Sequence, residues 1–442
     1  MNKEDIIKII IEWQNYILQI SGIQRRIEKD LFESIGSKPI KIVTGFRRSG
    51  KTFLVQQIAK KLIQLNKISL SNVLYINFED FRFLEINTPD KLYDVYQVFI
   101  HDIASQDHKI LIFDEIQNVR LWDRFIRTLY EKEQDIEIIL TGSNSELLSS
   151  ELGSCLAGRF IAFCIQPFDF KEYLSYFDIS VDNHIKYMRH QKEINTHFSN
   201  FIKYGGLPEL LSISNENARI SYIEAIISKV ILDDIIKRFH VKNAFIIEKI
   251  LLYLLSTPGN IVSFKRIGNY LKNINASIKQ ETLIKYVQYM TQTFAIHEVS
   301  KFDWKLGKIF STTRKYYAVD TGVLNLSADK HRNYSKRLEN IVFNKLMSST
   351  KHIYFGALSS GKEIDFVVQN RHGEYSKYQI TQKLHNDNYV RELSSFDLKD
   401  TYLCEGKNYL LVLDDDVNET IQYKNNSVRK VNIIGWLLDL EN

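Results

Sequence analysis

Residues 41–54 read KIVTGFRRSGKTFL. Lys41 to Thr44 is a short β-branched run, the pattern of a strand, and Phe53 to Leu62 carries apolar residues at helical spacing. Between them Gly45, Gly50, Lys51 and Thr52 satisfy G-x-x-x-x-G-K-[ST], in a chain that uses glycine only 18 times in 442 residues. In a strand–loop–helix frame the glycines let the backbone curl, so that several N–H groups and a helix N-terminus point at one phosphate. Lys51 is expected to reach the β- and γ-phosphates, and the Thr52 hydroxyl to coordinate Mg²⁺. An ordinary glycine turn is the alternative. It would leave Arg47, Arg48 and Lys51 crowded at the positive end of a helix dipole, a conflict that a bound polyphosphate removes. Gly45, Arg47, Arg48, Ser49, Gly50, Lys51 and Thr52 therefore form the candidate ATP cradle.

Further strands follow, with helices between them: VLYINF (Val73 to Phe78), ILIFDE (Ile110 to Glu115), IEIILTGS (Ile136 to Ser143) and FIAFCI (Phe160 to Ile165). Near-continuous apolar runs mark strands buried on both faces, so with Ile40 to Thr44 they predict a five-stranded parallel α/β sheet ending near Pro167. Hydrolysis needs a metal ligand and a group that activates water, and ILIFDE offers both. Asp114 would hold Mg²⁺ and Glu115 would orient and polarise the attacking water. The next strand ends in TGSNS, bringing Ser143 and Asn144 to the same edge, where either could sense the γ-phosphate. Arg159, just before the last strand, could stabilise transition-state charge on a neighbouring subunit's nucleotide, or it could cap the preceding helix.

Composition narrows the class. A chain of this length, 44% apolar, has the material for two to four domains with real cores. Cys155, Cys164 and Cys404 lie far apart in no metal-binding or disulfide spacing, which fits a reducing cytoplasm. In MNKEDIIKIIIEWQN, Glu4, Asp5 and Glu12 interrupt the apolar run, so it reads as an amphipathic helix rather than a signal peptide. No apolar stretch is long enough for a membrane span. Charge is uneven. Lys237 to Lys315 carries fourteen Lys and Arg against four acids, a net of +10 that leaves −5 for the rest of a +5 chain. That segment is either a DNA-facing surface or a solvated lysine face.

Residues 168 to about 240 lose the strand signal and read as helices broken at YGGLPEL, where Gly205-Gly206 can end one helix and Pro208 begin the next. The helices FIIEKILLYLL, FKRIGNYL and IKQETLIKYVQYMTQT, with a turn at Pro258-Gly259, precede two strands, AIHEVSKF and KYYAVD. Three helices and a hairpin, coinciding with the basic segment, suggest a winged helix. From about Leu338 come a helix and the strands HIYFGA, EIDFVVQ, YSKYQIT and YLLVLD.

GFRRSGKT, LYINFED, ILIFDEIQNVRLWDRFIRTLYE, ILTGSNSELLSSELGSCLAGRF and YGGLPEL, in this order and spacing, resemble the prokaryotic AAA-type ATPases whose C-terminal region is a winged helix joined to a restriction-endonuclease-like domain of unknown function. The resemblance covers nearly the whole chain. It implies an AAA+-like P-loop NTPase sheet of order 5-1-4-3-2 with a helical lid, followed by a winged helix and a PD-(D/E)xK-like α/β domain. It also implies the roles given above to Lys51, Thr52, Asp114, Glu115, Asn144 and Arg159. One departure is that GGLPEL offers no arginine where many relatives have a second sensor. The expected divisions are 1–167 for the ATPase core with its N-terminal helix, 168–240 for the lid, 241–330 for the winged helix and 331–442 for the last domain.

The PD-(D/E)xK pattern places an acid on the first helix, an Asp on a strand, and an acid and a Lys two residues apart on the next. Here those positions read Glu339, Asp365, then Gln379-Ile380-Thr381, so the metal half is weakened and the lysine is absent. Lys383 shares a strand face with Gln379 and Thr381 if the strand continues. An inactive or structural domain is the expectation. The leading function is an ATP- and Mg²⁺-dependent ATPase coupled to DNA through the winged helix, with a homo-oligomer possible and no membrane partner. An ATP-regulated nuclease and a nucleotide-gated protein-interaction switch are the alternatives.

Overall fold

The computed structural model describes residues 1–148, 156–302, 313–327, 334–350, 352–357, 362–370, 372–396, 406–414 and 418–440. Cys155, Cys404, Lys305 and Lys308 lie outside them. The chain divides into two compact units, Met1–Ile165 with Gln292–Phe294, and Gln166–Thr291 with Ala295–Asn442.

In the first unit, helices α1 (Lys3–Gln19) and α2 (Arg26–Ser34) precede strand β1 (Ile40–Gly45) and helix α3 (Lys51–Gln64). Then come β2 (Val73–Asn77), α4 (Pro89–Asp102), β3 (Lys109–Asp114), α5 (Trp122–Lys132), β4 (Ile136–Gly142) and β5 (Phe160–Ile165). The strands pair in parallel in the order β2-β3-β4-β1-β5, which is the expected 5-1-4-3-2 read from the other edge. Alternation along each strand feeds two apolar layers. Ile40, Ile42, Leu74, Ile76, Leu111 and Phe113 face α1, α4 and α5, while Val43, Val73, Tyr75, Ile110 and Ile112 face the layer containing Leu31 of α2 and Leu54 and Ile58 of α3. Both faces being covered explains the unbroken apolar runs. The exception is Lys41, wholly buried at the start of β1, whose Nζ is paired with Glu137 and donates to the Ser37 carbonyl. Because β1 is flanked by β4 and β5 rather than β2, the crevice beyond its carboxyl end is a topological switch point.

The second unit begins with α6 (Phe170–Tyr176), α7 (His184–Tyr204) and α8 (Glu216–Lys229), which runs on as a π-helical stretch, Val230–Lys237. Gly205 follows the end of α7 at φ 78°, and Pro208 opens a short 3₁₀ turn. Next are α9 (Ala244–Ser256), β6 (Ile261–Val262), α10 (Phe264–Asn273), α11 (Gln280–Gln292), β7 (Ile296–Lys301) and β8 (Arg314–Ala318). After α12 (Tyr334–Met347) come β9 (Ile353–Ala357), β10 (Glu363–Gln369), β11 (Tyr375–Thr381), α13 (Asn386–Ser394), β12 (Lys407–Val412), β13 (Glu419–Tyr423), β14 (Asn426–Asn432) and α14 (Ile433–Leu437). Strand β7 pairs antiparallel with β8 and parallel with β9, so among the described residues one sheet, β13-β14-β12-β11-β10-β9-β7-β8-β6, runs through this unit. The hairpin expected of a separate domain is thus continuous in hydrogen bonding with the C-terminal strands.

Candidate functional site

The loop after β1 is shaped by two glycines with positive φ. A Cβ on Gly45 (φ 150°) would lie 2.2 Å from the Ile165 carbonyl oxygen, and Gly50 (φ 95°) is the N-cap of α3. Between them Arg48 also adopts φ 66°. The turn is closed by Ser49, whose N–H and hydroxyl both donate to the Phe46 carbonyl. From the segment before α2, Arg25 reaches in and its Nη1 donates to the Ser49 carbonyl at 2.9 Å. Lys51 Nζ is buried at the loop, 3.2 Å from the Gly45 carbonyl, 3.3 Å from that of Phe46 and 3.5 Å from Glu115 Oε1. Arg47 bonds Glu79 at 3.1 Å.

The carboxyl end of β3 faces this loop. Thr52 Oγ1 donates to Asp114 Oδ2 at 2.8 Å, Tyr75 OH donates to the same oxygen at 2.7 Å, and Thr141 Oγ1 donates to Oδ1. Burial drives the Asp114 carboxyl pKa upward, reinforced by Glu115 and opposed by these three hydroxyls. Glu115 goes the other way. Its burial is outweighed by Lys51, Gln117, Arg47 and the Ser143 N–H, so it is held below the usual range and ionised. Its orientation is set by a φ of 56°, by its own N–H donating to Thr141 Oγ1, and by Ser143 N–H and Gln117 Nε2 donating to Oε2. Asn144 follows on the same edge and is buried.

The structure therefore brings Gly45, Arg47, Arg48, Ser49, Gly50, Lys51, Thr52, Asp114, Glu115 and Asn144 to one end of the sheet. Arg159 is elsewhere. Its carbonyl accepts from the Ile40 N–H and its guanidinium bonds Glu131 at 3.2 Å. That is the amino end of β1, ~16 Å along the strand from the loop at the usual rise per residue. Tyr75, Thr141, Gln117 and Arg25 were missed by sequence reasoning. Tyr75 and Thr141 sit inside apolar strand runs that register as core, and only strand pairing brings them to Asp114. In the second unit Asp365 N–H donates to Gln379 Oε1 at 3.3 Å, and Glu339 is near enough to act electrostatically on Asp365.

One hydroxyl and one carboxylate 2.8 Å apart, both hard oxygen donors, suit a Mg²⁺ ion that takes its remaining ligands from phosphates and water. Among the described residues no group of three or more His, Cys, Asp or Glu is arranged to hold a metal unaided. None of their helices is long and apolar enough to cross a membrane.

Residues 37–174 match a family model described as an AAA domain, and residues 195–333 match a domain of unknown function. The chain is similar to an uncharacterized protein of Methanocaldococcus jannaschii, 29% identical over 95% of this chain and 93% of that one. A Haemophilus influenzae protein, also uncharacterized, is 29% identical over 90% of this chain and 94% of its own length. Among solved structures, the Walker-type ATPase of Pyrococcus abyssi is similar at TM-score 0.47 and 16% identity, covering 70% of this chain and 99% of that one. The first unit thus contains an AAA-type ATPase-like domain with a parallel five-stranded sheet.

Proposed function

We propose that this protein binds and hydrolyses ATP at the β1–α3 loop and couples its nucleotide state to DNA through residues 241–330 folded as a winged helix. The observation that carries the reading is the convergence of Lys51, Thr52, Asp114 and Glu115 on the N-terminus of α3. The β-phosphate would take the loop N–H groups, and Lys51 would exchange its carbonyl partners for phosphate oxygens. Thr52 and Asp114 would hold Mg²⁺, which when bound neutralises phosphate charge. Glu115, ionised and oriented by Thr141 and Ser143, is suited to take a proton from water, and Asn144 to contact the γ-phosphate. Arg159, remote from the site of its own chain, would serve a neighbouring copy in a homo-oligomer.

The order α9-β6-α10-α11-β7-β8, with β6 and β7 both antiparallel to β8, supports the winged-helix reading. Its α11 turns Glu281, Lys285 and Gln288, at i, i+4 and i+7, to solvent as an open row. The succession α12-β9-β10-β11-α13-β12 supports a restriction-endonuclease-like fold for residues 331–442. Residues 1–167 would then be the ATPase core and 168–240 its helical lid. The test is the ATPase rate with and without DNA over a range of protein concentration. Stimulation by DNA is expected, and an ATPase that binds no DNA even in low salt would move the function to a protein-interaction switch.

A further inference from the structure

Three carboxylates from two elements converge on one lysine in the second unit: Glu339 on α12, and Glu363 and Asp365 on β10, whose register with β9 shifts between Ile364 and Val367. The strand that meets them is β8. Lys315, with a side chain only 2% exposed, places Nζ 3.3 Å from Glu363 Oε2 and 3.9 Å from Glu339 Oε1, over the Phe355 ring at 5.0 Å. Two residues on, Tyr317 OH donates to Glu339 Oε1 at 2.7 Å, and Lys336 bonds Oε2 at 2.9 Å. The Pro258-Gly259 turn closes over Glu339, since a Cβ on Gly259 would lie 2.5 Å from Oε1. Asp365 Oδ2 accepts from the Ile380 N–H, and Gln379 is engaged with Glu392 at 3.0 Å.

Both Glu339 oxygens thus have donors, and the buried Lys315 ammonium stands among the three acids. We propose that Lys315 is the resident cation of the Glu339–Glu363–Asp365 cluster, supplying the positive charge that a divalent ion would otherwise bring. The same ion pairs fasten the β7–β8 hairpin to the C-terminal strands, so the cluster is closed to metal-dependent hydrolysis. Without Lys315 only Lys336 remains among the described residues, on Glu339 Oε2, so Glu363 and Asp365 must protonate or recruit another cation.

The experiment is Mn²⁺ titration of the nucleotide-free full chain, read by electron paramagnetic resonance. Wild type and Glu363→Gln should bind Mn²⁺ alike, whereas Lys315→Met should gain one further equivalent that disappears when Glu363→Gln is added. A folded Lys315→Met that gains no Mn²⁺ overturns the proposal, and so does wild-type binding that falls with Glu363→Gln. If Lys315→Met does not fold, Lys315→Arg keeps a cation in place. It should add no Mn²⁺ equivalent, and an added equivalent would refute the assignment.

Discussion

Glu115 and Asp114 are sequence neighbours in one burial environment, yet their carboxyl groups are driven in opposite directions. The difference lies in their partners. Hydroxyls surround Asp114, while Lys51 and Arg47 act on Glu115, a division that suits the proposed roles of metal ligand and base. Lys51→Ala should abolish tight ATP binding because it removes the charge facing the β- and γ-phosphates, and unchanged nucleotide affinity by equilibrium titration would refute the cradle. Glu115→Gln should retain ATP but slow hydrolysis roughly 10²–10⁴-fold, the usual contribution of a positioned base. Wild-type turnover would assign the base elsewhere. A third residue governs stability. His297 on β7 is buried against Phe343, and burial pushes its pKa down to about 4. Its folded-state pKa lies below that of the unfolded chain, so its contribution is complete above pH ~6.5 and is lost as pH falls towards 4, about 3 kcal/mol in all. Asp320 works the other way across the same window, its carboxyl being pushed up to about 6 by burial against the Gly206 and Gly322 N–H bonds. The measurement is therefore the difference in urea midpoint between wild type and His297→Gln at pH 7 and pH 4.5. A gap that does not narrow on acidification would mean that His297 charges freely in the fold.

At the scale of elements, α11 and its neighbours carry the interaction test. Lys265, Arg266, Lys272, Lys279 and Lys285 are exposed on α10, α11 and the turn between them, whereas Arg314 is committed to Glu298 at 2.7 Å. With roughly four to six phosphates neutralised, DNA affinity should fall with salt at a log–log slope of about −4 to −5. Replacing Arg266 and Lys285 together by alanine should flatten that slope by about two and weaken all sequences alike. The same is expected of Lys305 and Lys308. A changed sequence preference at constant slope would instead mean that these side chains read bases. Tyr289 of α11 stacks on Phe239 beyond the π-helical stretch, with ring centroids 3.9 Å apart and planes 2° from parallel. Tyr289 lies one turn beyond Lys285, so this stacking borders the exposed Glu281, Lys285 and Gln288 row.

For the molecule as a whole, Arg159 makes the assembly testable. Its place at the amino end of β5 is remote from the β1–α3 loop, so under the proposed mechanism it would serve another copy. Specific activity should rise with protein concentration, and Arg159→Ala should lose turnover while binding ATP normally; concentration-independent turnover would leave it bonded structurally to Glu131. The loop motif, the apolar runs with their terminal acids, and the basic segment were legible in the chain because each is a local pattern: a periodicity, a spacing or a charge count. Even the sheet order was implied by resemblance once those patterns were in sequence. The strands at Glu419–Tyr423 and Asn426–Asn432 were not legible, being largely polar in sequence, the first of them at the sheet's edge. Nor was the single sheet through the second unit. Sequence alone set Lys51 in a phosphate-binding pattern and left the C-terminal carboxylates without the lysine of theirs. Only the tertiary structure could bring Tyr75 and Thr141 to Asp114, and Lys315 to Glu339 and Glu363, because those contacts join different strands, or a strand and a helix, far apart in the chain, where no sequence periodicity reaches.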